Sequence, residues 1–597
     1  MNGTSIALSI FLLYWFAVSV LDRKGILEKY NISTFGPLPI LMIRTTKGLK
    51  LLDVLARPKS YWRNFANLGI LLMFAGMIAM FMVIAISDLG MYTSFLSGNM
   101  PEPGKYNSPR NIFLIPGLNE FIPFTWGAIA LIVTLVVHEF SHAILCRVEG
   151  IRVKSMGILY ALVPIGGFAE PDDEQLFGTK EKTTRELPLT ATIEEIEKWE
   201  KEEKIRQETE ITKPEEPKPE PVIGATRTQR SRILAAGVMA NFTVAFIAFL
   251  LFFGPVLGAI APLSDAMIMS VNESSPAAHA GLENGMIITQ IDDTNITTAE
   301  ELQTYLEKIR PGETVHIYAT KNGTLSTHDL QVASVPEDYI GGVSVGGIVS
   351  GSPAESAGIK TGMTMIRINN TEMQNVSSFV NFMKTTKVNQ TVKVELLPAE
   401  NYTGDLTEKG TVVFDVQLSS NSETDYGFLG VIYGNNAVME LPMLGISVLI
   451  PQSKVYLEAL NQIPSLLTIP AGWIILFGLP IYGFAGEGFR GFSGTFMQFF
   501  HPVGWAEPLG IGIFWIANTL LWVGWLNFYV GLFNCLPAVP LDGGHVFKDS
   551  IYSFVYRFTR NDSISEKISN SITASFSMLI LFSFIFMIFG PYIGQWM

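Results

Sequence analysis

His138-Glu139-Phe140-Ser141-His142 lies inside an apolar run, residues 124–148, that is long enough to cross a membrane. Ionisable side chains cost free energy in hydrocarbon, so a cluster of them at that depth implies a task. Two His four residues apart share one face of a helix and can grip one metal ion. The Glu between them is placed to hold a water against that metal. A pair of satisfied core His beside a surface Glu is the bland alternative, but a membrane helix offers such a Glu no wet surface.

Of the 597 residues, 48% are hydrophobic and 16% charged, a balance suited to a membrane protein that carries soluble modules. Apolar runs of spanning or near-spanning length occupy residues 6–21, 68–86, 124–148, 233–260, 471–484, 509–533 and 572–590. The first has no basic stretch before it and no small-residue cleavage site after it, and reads as an anchor. The formal net charge of −13 argues against nucleic acid as a partner. Cys146 and Cys535 both fall in apolar segments, which excludes a disulfide framework and predicts small buried apolar roles.

Lys and Arg concentrate in residues 22–64 and 152–232, which the positive-inside tendency puts in the cytosol. The run 68–86 then leads outward and 124–148 leads back. His138 comes about 14 residues after the outer end, roughly 20 Å down and nearer the cytosolic face of a core about 30 Å thick. Residues 151–173 read as short strands and turns. A charged segment, 192–208, reads as a solvated helix, and the Pro/Glu/Lys tract 213–221 as a linker.

Beyond residue 260 the chain turns soluble and repeats. Ser275-Pro276-Ala277, Ala280-Gly281-Leu282 and Gly285-Met286 recur as Ser352-Pro353-Ala354, Ala357-Gly358-Ile359 and Gly362-Met363. A period of about 77 residues is too long for a solenoid and indicates two small tandem domains. The pattern resembles PDZ domains over residues 261–418, with Tyr339-Ile340-Gly341-Gly342-Val343 and Tyr426-Gly427-Phe428-Leu429-Gly430-Val431 as candidate peptide-binding loops. Span counting puts this region outside the cell. It also holds seven Asn-x-Ser/Thr sites, at Asn272, Asn295, Asn322, Asn369, Asn375, Asn389 and Asn401.

A catalytic zinc takes three protein ligands and keeps one position open. Asp542, in Asn534-Cys535-Leu536-Pro537-Ala538-Val539-Pro540-Leu541-Asp542-Gly543, follows the run 509–533 near its cytosolic end, the depth expected for the His pair. His545 is a weaker alternative. Pro537 and Pro540 break the helix there, and Gly543 is expected to permit a tight turn. Asn241, on the apolar run 233–260, either braces another helix or hydrogen-bonds a substrate backbone or the developing oxyanion.

Together these residues resemble the site-2 proteases, the intramembrane zinc metalloproteases. The marks are His138-Glu139-x-x-His142, Gly237-x-x-x-Asn241, and Asn534-x-x-Pro537 leading to Leu541-Asp542-Gly543. Pro164-Ile165-Gly166-Gly167-Phe168 also resembles the membrane-associated β-region of that family. Val238 departs from the pattern, standing where relatives often have Pro. The resemblance implies an α-helical polytopic membrane protein with an inserted pair of α+β PDZ-like domains. It implies one Zn2+ per chain on His138, His142 and Asp542, Glu139 as the acid/base, and Asn241 and Asn534 facing the substrate or oxyanion. The substrates expected are single-span membrane proteins in the lipid bilayer, and the location expected is the cell membrane. A non-catalytic PDZ-bearing scaffold with a relic metal site is the alternative, though a relic has no need of Glu139.

The domain boundaries expected are 1–123 (N-terminal helices and basic loop), 124–175 (core helix and β-region), 176–228 (charged insertion) and 229–260 (second core helix). There follow 261–337 and 338–425 (the PDZ-like pair), 426–508 (a re-entrant membrane region), 509–550 (third core helix) and 551–597 (C-terminal helix). Residues 437–510 thread poorly as a single crossing. Gly472, Gly478, Pro480, Gly483 and Gly486 suit an element that dips in and returns.

Overall fold

The computed structural model describes residues 3–594 except 35–39, 47, 113, 162, 178–223, 322, 335–341, 350, 374–375, 399–409, 422–423, 434–437, 450–452, 484–487 and 490. The readings of 192–208 and 213–221 fall outside the described residues, as do most of the 339–343 loop, Gly486, Asn322, Asn375 and Asn401. The chain divides into two units. One comprises residues 1–252, 474–489 and 518–597, and the other 253–473 and 490–517.

Among the described residues five helices are long and apolar enough to cross a membrane: Lys59–Leu96, Phe124–Glu149, Arg227–Ala259, Gly512–Asn534 and Asp562–Gly594. The run 6–21 folds as the helix Gly3–Arg23. Lipid gives no hydrophobic drive between helices, so close approach of small residues has to supply the packing. Gly69 and Gly76 do this on Lys59–Leu96. A Cβ on Gly69 would lie 2.8 Å from the Ala235 carbonyl oxygen, and one on Gly76 2.7 Å from Cys535 Sγ. Cys146 and Cys535 are buried free thiols, as expected.

The helix ends are pinned by charge. Gly150, with φ +84°, closes Phe124–Glu149 in the left-handed conformation that lacks a Cβ penalty. The Glu149 carboxylate, almost wholly buried, accepts from Arg63 Nε at 3.1 Å and Arg232 Nη1 at 3.4 Å. Asp549 accepts from Arg227 at 3.0 Å and from Arg230. Thr226 and Gln229 form a capping box that starts Arg227–Leu251.

Residues 151–173 do form strands, in a four-stranded antiparallel sheet ordered Ile32–Thr34, Leu41–Thr45, Val153–Ala161, Val163–Pro171. The first two strands come from the segment read only as a basic loop. Arg44, one of its basic residues, bonds Glu170 Oε2 at 3.2 Å across the sheet, and Ser155 Oγ donates to the same oxygen at 2.6 Å. These contacts hold the Glu170 carboxyl below its ordinary value. Val163–Pro171 is one edge strand and Ile32–Thr34 the other among the described residues.

In the second unit the two repeats fold alike. The first domain orders its strands Thr324–Gln331, Thr314–Lys321, Ile287–Ile291, Met267–Val271, Ile446–Leu449, Val438–Leu441. The second orders Val412–Gln417, Thr391–Leu397, Thr364–Ile368, Val343–Ile348, Val431–Tyr433. Ala299–Leu306 and Val376–Met383 are the matching helices. The boundaries 261–337 and 338–425 are therefore corrected, because the second domain is nested inside the first. Leu444 and Val448 are fully buried in a core with Ile268, Ile288 and Ile317, so the first domain is completed only after the second has been made. The described glycosylation-type residues Asn272, Asn295, Asn369 and Asn389 are exposed.

The expected 426–508 region is likewise divided. Its start belongs to these two domains, and Ser453–Leu466 is an amphipathic helix. Pro470–Tyr482 is an apolar helix of 13 residues, about 20 Å long and short of a bilayer core. Gly483 and Gly488, on either side of undescribed residues, have φ +60° and +90°, and Phe489 N–H donates to Pro480 O at 3.4 Å.

Nesting predicts that Ile446→Ala destabilises the first domain by about 2–5 kcal/mol. Hydrogen exchange should then rise across 287–321 while 376–397 stays protected. Equal deprotection of both stretches would contradict the nesting.

Candidate metal centre

Two helices bring the candidate metal-ligating groups together. His138 and His142 lie one turn apart on Phe124–Glu149, and Asp542 opens Asp542–Thr559, where a carboxylate is favoured by the N-terminal dipole. His138 Nε2 and His142 Nε2 stand 3.1 Å apart. They lie 3.2 and 3.3 Å from Asp542 Oδ2. Among the described residues these three form the group able to hold a metal ion. His545 lines the same cavity but is not in the group, so the alternative third ligand is not assembled.

The donor set fits zinc. His142 Nδ1 lies 2.7 Å from the Ile233 carbonyl, which can only accept, so Nδ1 carries the proton and Nε2 keeps its lone pair. That lone pair faces a second imidazole nitrogen and a carboxylate oxygen. Two ligands about 2.0–2.1 Å from a tetrahedral zinc are about 3.3 Å apart, which matches all three separations.

The second helix explains its own motif. Gly237 and Asn241 lie one turn apart on Arg227–Leu251 and both face the His pair. A Cβ on Gly237 would meet His142 Nε2 at 2.5 Å and His138 Cε1 at 2.7 Å. Asn241 is fully buried, and its side-chain amide is 3.2 Å from His138 Nδ1. Its Oδ1 meets no partner among the described residues. The sequence left Asn241 with several roles, and the fold sets it against His138.

Gly543 serves a purpose other than the expected tight turn. It is helical, and a Cβ there would meet the Cys535 carbonyl carbon and oxygen at 2.5 Å. On Gly544 a Cβ would meet the Ala538 carbonyl carbon at 2.4 Å. The two glycines let the start of this helix press against the backbone of 534–538, which carries Asp542 to the His pair.

Glu139 and Asn534 border a cavity of about 340 Å³ with the three ligands. Glu139 Oε2 accepts from Ala169 N–H at 3.3 Å, so the edge strand Val163–Pro171 turns its free side toward the acid. The strand Leu41–Thr45 behind it was missed in the sequence, where its alternation is short and lies in a basic stretch.

Residues 126–413 and 481–582 match the model of Peptidase family M50. The chain belongs to this family. The match agrees with the resemblance to site-2 proteases carried by the three motifs. Within the M50 match lie His138, His142 and Asp542, the candidate ligands, together with Glu139, Asn241 and Asn534. A protein of Methanocaldococcus jannaschii is 30% identical over 186 residues, covering 31% of this chain and 46% of that one. The zinc metalloprotease RasP of Shouchella clausii is 32% identical over 123 residues, 20% of this chain and 28% of its own. Protease RseP of Yersinia pestis is 21% identical over 472 residues, 70% of this chain and 89% of its own. The chain spans about half the length, or less, of the first of these relatives. A solved PDZ domain, from the SdrC-like protein of Listeria monocytogenes, matches 13% of this chain and 80% of its own at 25% identity, with a TM-score of 0.12.

The packing predicts that Asp542→Ala and Gly237→Ala both lower zinc content. The first removes a ligand, and the second drives a methyl into the two imidazoles. Metal analysis of the purified, dialysed protein should show less than one equivalent in each, against full loading of the wild type.

Proposed function

We propose that this chain is an intramembrane zinc metalloprotease that hydrolyses peptide bonds within or near the transmembrane segments of membrane proteins. The observation that carries the reading is the convergence of Asp542 on His138 and His142 beside Glu139, the last three on a helix of spanning length and composition. His138, His142 and Asp542 would hold one zinc per chain. When bound, that ion supplies Lewis acidity, polarising a peptide carbonyl and activating water near neutral pH.

The remaining chemistry belongs to the side chains. Glu139 takes the proton of the attacking water and passes it to the leaving nitrogen. Asn241 accepts from His138 Nδ1–H through its carbonyl oxygen, after a half-turn of the amide, and so keeps Nε2 on the metal side. Full burial behind the His pair favours this bracing role over contact with substrate. Asn534, bordering the cavity, remains the candidate for contact with the substrate or the oxyanion. A helical substrate offers no free carbonyl, so it unwinds and pairs with the free edge of Val163–Pro171. The charge pattern along the chain puts the active site nearer the cytosol and the PDZ-like pair outside, in the cell membrane, where the pair filters single-span substrates.

Co-expression with candidate single-span proteins tests the reading. Glu139→Gln should lower cleavage at least about 100-fold while zinc stays bound. Undiminished cleavage would sink the protease assignment, and no cleavage of any candidate by the wild type would favour the scaffold alternative.

A separate test addresses the strand edge. Ala169 turns its N–H outward, and Gly167, two residues earlier, shares that side. Gly167→Pro removes an outward donor and should abolish cleavage with zinc content unchanged. Wild-type turnover in this variant would exclude strand pairing.

A further inference from the structure

The two nested domains have corresponding loops. Ala277 N–H donates to Leu444 O at 3.2 Å, and Ala354 N–H to Leu429 O at 2.9 Å. Asn272 N–H donates to Gly445 O at 3.0 Å, and Val349 N–H to Gly430 O at 2.9 Å. Gly445 and Gly430 both have positive φ, +71° and +82°. A Cβ on each would strike the Cβ of Ser275 or Ser352, at 2.2 and 2.1 Å. Leu444-Gly445 thus corresponds to Leu429-Gly430. The loop of the first domain lies after the second domain, at 441–445, because of the nesting.

Past the loops the domains differ. Ile446–Leu449 is paired on both sides, with Met267–Val271 on one and Val438–Leu441 on the other. Its counterpart Val431–Tyr433 is paired, among the described residues, with Val343–Ile348 alone. The loop N–H groups follow the same division. Those of Leu444 and Gly445 both donate to Leu441 O, at 3.1 and 2.9 Å. Those of Leu429 and Gly430 meet no backbone acceptor among the described residues, although both residues are buried. A loop N–H without a backbone acceptor can donate to a ligand, and a strand edge presents a row of further donors and acceptors.

We propose that the first domain's peptide groove is filled by the chain's own strand Val438–Leu441, and that the second domain is the receptive one. Val438–Leu441 runs antiparallel to the strand after the loop, with its C-terminal carbonyl on the loop N–H groups and the Leu441 side chain buried. A peptide adding to that edge would make the same contacts. The second groove offers the same pair of N–H groups and the same edge. Its ligand is an extended segment ending in an apolar residue and a free carboxylate, whose charge strengthens the two hydrogen bonds that a carbonyl makes in the first domain. This deepens the filtering role proposed above and rests on it, giving the tandem a single specificity site.

The test reads binding, not cleavage, so its failure leaves the protease assignment standing. Full-length protein in detergent micelles is titrated with a fluorescent peptide Asn-Ala-Val-Met-Glu-Leu, the sequence of 436–441, carrying an N-terminal photo-crosslinker and a free C-terminal carboxylate. We expect one peptide per chain, an adduct confined to 343–433, and affinity weaker by about tenfold or more for the C-terminal amide. Hydrogen exchange at 438–441 should be slow before peptide is added and unchanged after. An adduct in 267–331 or 438–449, two peptides per chain, equal affinity for the amide, no saturation by about 1 mM, or fast exchange at 438–441 would overturn the proposal.

Discussion

Three lone pairs facing one another among packed apolar helices form the constraint on which the first unit is built. Two imidazole nitrogens and a carboxylate oxygen about 3 Å apart repel unless a cation lies between them. Much of the surrounding sequence serves that convergence. Gly237 makes room for the rings, Ile233 O and Asn241 meet their outer nitrogens, and Gly543 and Gly544 let Asp542 approach. Glu149 and Asp549, clamped by Arg63, Arg227, Arg230 and Arg232, tie together the ends of the helices that carry these groups. The arginines that served as markers of a cytosolic face are thus also the partners of buried acids.

Sheet edges are the second theme. An unpaired edge is a liability in most proteins and a binding device in some. Here one edge turns an N–H to Glu139, a second is covered by a strand of the same chain, and a third has one partner among the described residues. Each is a backbone feature. None has a side-chain signature, so the repeat in the sequence marks two PDZ-like segments without telling their edges apart.

Much of the metal centre was legible in the sequence because helical spacing is rigid. A separation of four residues puts His138 over His142, and Gly237 over Asn241, wherever the helix goes. Asp542 was reachable through a depth argument from hydropathy and charge. The strand Leu41–Thr45 was not, because five residues in a basic stretch carry too little alternation to stand out. The nesting was hidden for a different reason. The strands that complete the first domain lie more than 150 residues beyond Ile288, and no local pattern marks which core an apolar strand will join.

By itself, then, the sequence determined the apolar helices, the pairs on their faces, the repeated domain and the family's three motifs, all of which depend on local periodicity and residue type. Tertiary structure alone decided which atoms of those motifs meet, that Gly543 and Gly544 serve close approach instead of a turn, that Asn241 lies behind His138, and which strand fills which edge. Those outcomes depend on distances between segments far apart in the chain, and such distances are fixed only when the helices and strands pack.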